Sequence, residues 1–156
     1  MGEPISNAEV LLAMKLRELM TTNVRTVRSS DPIHEAARIM SEINCGAVPV
    51  VDGNRVVGVL TDRDIVLRVV SKGTDTTNIK CGDVCTRDVT TCPPDTDAHE
   101  AANLMARKQI RRLPVVENDR LVGIVALGDM ATVNIHVNEA GEALSSISEP
   151  ARPRAH

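Results

Sequence analysis

Adding 65 to a residue number carries one half of this chain onto the other. Pro49 becomes Pro114, Gly58 becomes Gly123 and Asp64 becomes Asp129. The run His34-Glu35-Ala36-Ala37 becomes His99-Glu100-Ala101-Ala102, Met40 becomes Met105, and Arg55 becomes Arg120. Upstream, Thr21, Val24 and Thr26 match Thr86, Val89 and Thr91. The match needs no gap from about Lys15 to Asp64, which marks an internal duplication. Two copies in 156 residues are each too small to bury a core alone, so a pseudo-twofold pair is expected rather than a solenoid.

The pattern within one copy predicts its elements. Asn23 to Val27 alternates polar and apolar residues, as a short strand would. Ser30-Asp31-Pro32 is a helix start, with Asp31 as cap and Pro32 at the first helical position. Ile33, Ala36, Ala37, Met40 and Ile43 then recur at helical spacing, and Gly46 follows the helix end. Ala47 to Val51 and Val56 to Leu60 are dense apolar runs joined by the turn Asp52-Gly53-Asn54-Arg55, a hairpin signal. A helix from Asp62 to about Ser71 closes at Gly73. Each copy is thus strand, helix, strand, strand, helix, an α+β unit. Residues 1–14 form a partly helical extension, 15–73 and 80–137 the two copies, and 138–156 a flexible tail rich in Gly, Ser, Pro and charges.

Composition removes several function classes. The net charge of −3 argues against nucleic acid as a partner. The chain has no Phe, Tyr or Trp, so platforms that stack single-stranded bases on rings are excluded and the core rests on aliphatic residues. No apolar run approaches the ~20 residues that span a bilayer, and no basic-then-apolar leader opens the chain, so a cytoplasmic protein without a membrane partner is expected. In that compartment Cys45, Cys81, Cys85 and Cys92 read as reduced, partly buried thiols; a metal or redox site is the alternative for Cys81, Cys85 and Cys92. No metal is expected. His34 and His99, in equivalent first helical turns, read as surface or capping residues. No nucleophile–base pair and no phosphate loop is present, which argues against an enzyme.

A duplicated unit of this kind, with Ala47-Val48-Pro49-Val50-Val51-Asp52 before a turn and Gly58-Val59-Leu60-Thr61-Asp62-Arg63-Asp64 after it, resembles the cystathionine-β-synthase (CBS) domain. Two copies resemble a CBS pair, or Bateman module, over roughly Lys15 to Val137. The resemblance implies two units about a twofold-like axis, sheet against sheet, with two clefts that bind adenine nucleotides (AMP, ADP or ATP). It further implies regulatory sensing, a homodimer of pairs and an unknown regulated partner. No cofactor is required; AMP or ATP is the implied ligand. The alternative is a ligand-free interaction or dimerisation protein of a stress-associated kind.

The chemistry of such sites can be placed on residues. One carboxylate accepts from both hydroxyls of a ribose, and Asp64 and Asp129 are the candidates. Thr61 stands one helical turn before Asp64 with a hydroxyl, and the helix start offers N–H groups without helical partners. By the resemblance, the stronger cleft sets Thr61 and Asp64 against Arg111, Arg112, Leu113 and Pro114, with the segment Thr86 to Thr90 that includes Val89. The weaker cleft sets Asp129 against Thr22, Asn23 and Val24 and against Gly46, Ala47, Val48 and Pro49. It is poorer because Ala126 replaces Thr61, and Gly46-Ala47 stand where the other cleft has arginines. The plain alternative for both acids is a first-turn carboxylate that stabilises a helix start, and for Arg111-Arg112 a solvated pair beside a strand.

Overall fold

The computed structural model describes residues 14–132. Among the described residues six α-helices, α1 (Leu16–Leu19), α2 (Ile33–Ile43), α3 (Asp62–Arg68), α4 (Cys81–Val84), α5 (Ala98–Lys108) and α6 (Leu127–Thr132), accompany four strands. Strands β1 (Ala47–Asp52) and β2 (Arg55–Thr61) form one two-stranded sheet, and β3 (Arg112–Glu117) and β4 (Arg120–Ala126) another. The β1–β2 ladder is antiparallel, from Ala47 opposite Thr61 to Asp52 opposite Arg55, with an irregularity between Val50 and Val51. Gly53 turns this hairpin at φ 65°, and Asn118 and Asp119 turn the other at 52° and 62°. These residue types tolerate the left-handed region, so the turns fix the register.

The molecule divides into two compact units. One comprises residues 14–21, Cys92–Val115 and 124–132 of the described chain, the other Thr22–Thr91 and Val116–Gly123. They do not coincide with the two sequence copies. In the second unit Cys81 N–H donates to Asp31 O at 2.8 Å and Ile33 N–H to Ile79 O at 2.9 Å. In the first, the same bonds recur with the copies exchanged: Leu16 N–H to Thr96 O at 3.0 Å and Ala98 N–H to Met14 O at 2.9 Å. Thr86 pairs with Val59 in one unit, and Thr21 pairs with Ile124 in the other. Each unit is therefore completed by the opening helix of the other copy. The reason is burial: Cys81, Val84 and Cys85 sit in one apolar cluster with Val27, Ile33, Ala36, Val48, Val50 and Leu60.

Local details depart from the sequence reading. The segment 23–27 forms a single bridge, Val27 to Val50, not a continuous strand. Pro32, not Asp31, is the cap residue of α2, because the Asp31 carboxylate accepts from Arg28 N–H at 2.8 Å. Asn44, at φ 51°, takes the left-handed position after α2 that Gly46 was expected to mark. Helix α3 ends at Arg68, and Val70–Lys72 form a 3-10 turn before Gly73 at φ 63°. The partly helical extension expected over residues 1–14 lies outside the described residues except for Met14, which is not helical, and the tail and the end of the last helix beyond 132 lie outside them too. No described helix is long and apolar enough to cross a membrane.

Candidate functional site

Thr61 ends β2 and opens α3. Its hydroxyl accepts from Asp64 N–H at 3.0 Å, and its own N–H donates to Asp64 Oδ2 at 3.0 Å, a reciprocal capping box. Asp62 N–H donates to Gly46 O at 2.9 Å and Arg63 N–H to Asp62 Oδ1 at 2.8 Å. The first N–H groups of this seven-residue helix are thus already partnered. The expectation that they stand open to a ligand is corrected: local side chains and the neighbouring strand saturate them. What remains for chemistry is the Asp64 carboxylate. Its side chain is 12% exposed, and Oδ1 lies 3.8 Å from Arg68 Nε.

The surrounding unit is tightly built. Val59 exchanges two hydrogen bonds of 2.9 Å with Thr86, bringing the segment Thr86 to Thr90 beside β2. Thr86 is exposed, and Val89 and Thr90 are half-buried. Arg68 Nη1 donates to Val84 O and Arg87 Nη2 to Gly82 O, both at 2.8 Å. Arg87 was not among the residues singled out from the sequence. Its signal was weak, because the equivalent position in the first copy is Thr22.

The second copy repeats half of this arrangement in the other unit. Ala126 N–H donates to Asp129 Oδ2 at 3.0 Å, but Ala126 has no hydroxyl to return the bond. Leu127 N–H donates to Arg111 O at 2.8 Å, the counterpart of Asp62 and Gly46. The structure therefore sets Arg111, exposed, and Arg112, half-buried, beside the helix start of Asp129. Arg111 to Pro114 fall in a different unit from Thr61 and Asp64, and Gly46 to Pro49 in a different unit from Asp129. The reason lies in the hairpins: in each copy the first strand begins next to the end of the second, which runs into the acidic helix. Leu113 and Val48 are fully buried, so neither side chain is open to a ligand. Pro49 and Pro114 are also buried.

Thr22 and Asn23 are exposed and Val24 half-buried. Thr22, Val24 and Thr26 line a surface pocket of about 160 Å3 with Asn54 and Leu121. That is below the ~300 Å3 at which small-molecule pockets commonly begin. Burial pushes the Cys81 thiol up to about 11 and raises those of Cys85 and Cys92. Such thiols are poor ligands and nucleophiles. Among the described residues no three His, Cys, Asp or Glu side chains cluster to hold a metal ion.

Two copies of a helix, a hairpin and a capped acidic helix, each completed by the other's opening segment, define a tandem CBS pair. The CBS-domain profile matches residues 16–71 and 81–135, and the chain belongs to the CBS-domain family. It is 43% identical over 133 residues to the CBS domain-containing protein YhcV of Bacillus subtilis, covering 85% of this chain and 94% of that one. It is 34% identical over 116 residues to hypoxic response protein 1 of Mycobacterium tuberculosis, covering 74% and 81%. The crystal structure of Hypoxic Response Protein I with two coordinated zinc ions matches with TM-score 0.71 at 33% identity, over 76% of this chain and 98% of that one. A putative acetoin utilization protein, AcuB, from Vibrio cholerae matches with TM-score 0.72 at 29% identity, over 83% and 97%.

Proposed function

We propose that this chain is a regulatory sensor that binds adenine nucleotides (AMP, ADP or ATP) and performs no catalysis of its own. The observation that carries this reading is the Asp64 carboxylate. It is nearly buried and fixed at one oxygen by Thr61 N–H, while the second oxygen retains lone pairs for a ribose diol. Arg87, in the same unit, supplies positive charge for phosphate. Arg111 and Arg112 supply it beside the second acid, Asp129. The adenine rests on aliphatic side chains and backbone groups, in keeping with a chain without rings. Binding acts by stabilising one arrangement of the chain over others, and a cytoplasmic partner reads the change.

The test is calorimetric titration of the protein with AMP, ATP and NADH, with melting curves alongside. Heat and a raised Tm for at least one ligand, both lost in Asp64→Ala, support the reading. No heat from any of them and an unmoved Tm in wild type overturn it.

A second reading is favoured by a specific observation. Ile43, Val66, Leu67 and Val70 are large apolar side chains between 41% and 61% exposed, and three of them lie on α3 or just after it. Such a face suits self-association as a homodimer. In this reading the fold serves dimerisation or interaction without a ligand. A dimer in solution whose Tm ignores saturating nucleotide favours it over the sensor.

A further inference from the structure

We infer that Arg68 is the positioning residue for the Asp64 carboxylate, and that it ties this acid to the segment leading into Thr86 to Thr90. The inference rests on the nucleotide reading above. Arg68 stands one turn after Asp64 on α3, with Nε 3.8 Å from Oδ1. At that distance charge attraction persists but no hydrogen bond forms, so the Oδ1 lone pairs stay available to a ligand hydroxyl. The guanidinium is itself anchored. It donates through Nη1 to Val84 O at 2.8 Å, and Arg87 donates to Gly82 O at the same distance. Helix α4 is a single turn whose last carbonyls lack helical donors, and the two guanidiniums fill two of them.

Arg68 thus presents a charge of fixed position to a carboxylate whose other oxygen is fixed by Thr61 N–H. A carboxylate held in one orientation favours two adjacent hydroxyls over one or none, because no ordering is left to lose on binding. The anchor also makes the acid and the start of the Thr86 segment one piece, since Val84 lies two residues before Thr86. The second copy has Val133 at the position that corresponds to Arg68.

The experiment titrates wild type, Arg68→Gln, Arg68→Lys and Asp64→Asn with AMP and with 2′,3′-dideoxy-AMP, and records each urea midpoint. Arg68→Gln is expected to lose about 5–10-fold in AMP affinity and less than about twofold for the dideoxy ligand. Its preference for the diol then falls towards that of Asp64→Asn. A role in stability alone would weaken both ligands alike. An unchanged preference in Arg68→Gln, with the preference lost in Asp64→Asn, overturns the role of Arg68 and leaves the nucleotide reading standing. Wild-type protein that binds neither ligand overturns both. Should Arg68→Gln not fold, Arg68→Lys carries the test. One ammonium cannot serve both Val84 O and Asp64 as the fork does, so its preference must fall at least about threefold; no fall overturns the inference.

Discussion

Gly58 and Cys85 approach so closely that a β-carbon on Gly58 would stand 2.6 Å from Cys85 Sγ, and 2.9 Å from Thr86 O. The contact joins β2 of one copy to the residue that ends α4 of the other. At this point the exchange of opening segments has no room for added volume. Gly58→Ala is therefore expected to destabilise the protein by about 1–3 kcal/mol, since backbone as well as sulfur must shift. Urea unfolding measures this, and an unchanged midpoint would show that the exchanged segment yields without cost.

Thr61 and Ala126 occupy the same position in the two copies, and only Thr61 completes a capping box. Thr61→Ala should cost about 1 kcal/mol through the lost bond to Asp64 N–H. Ala126→Thr should recover a similar amount in the other unit. Paired denaturation curves check both directions.

The four thiols should separate by reactivity. Cys45 is half-buried, whereas Cys81, Cys85 and Cys92 are buried. Alkylation at neutral pH is expected to label Cys45 first and the others only on unfolding. Desolvation raises the folded Cys81 pKa to about 11 from an ordinary 9.0, so the folded state holds its proton more tightly than the unfolded chain. Stability from this group is then complete below about pH 9 and declines as pH rises towards about 11. Urea midpoints across that range should fall, and should fall less in Cys81→Ala.

The acid Asp64 and the guanidinium of Arg111 should differ in what they lose. Asp64→Ala is expected to weaken adenosine and AMP by similar factors, because a ribose contact is common to both. Arg111→Ala should weaken AMP at least about fivefold more than adenosine, because only phosphate engages its charge. Competition titrations on the single variants separate these outcomes; equal losses in Arg111→Ala would remove it from the phosphate role.

Val66→Asp with Leu67→Asp should leave the fold intact, as both side chains are exposed. It should shift a homodimer towards monomer in light scattering. An unaltered mass for a dimeric wild type would place the contact on another face.

Much was legible in the residues. The offset of 65 announced two copies, the Gly53-Asn54 turn announced β1 and β2, and the spacing of Ile33, Ala36 and Met40 announced α2. These are local signals, set by turn chemistry and periodicity within a few residues. The thiols expected to be partly buried go further in than expected: Cys45 is half-buried, and Cys81, Cys85 and Cys92 are buried.

The Gly58–Thr61–Asp64 run is where sequence and tertiary structure divide. Sequence alone determined that a strand ends there, that Thr61 and Asp64 share a helical turn, and that the second copy lacks the hydroxyl. It could not say what else reaches that turn. Local side chains bond two of the first N–H groups of α3, but only tertiary packing brought Gly46 O to Asp62 N–H and Val84 O to the Arg68 guanidinium beside Asp64. Only packing set Arg111 beside the helix of Asp129. The physical reason is burial: a copy too small to close its own core borrows the opening helix of the other, and partners distant in sequence then meet.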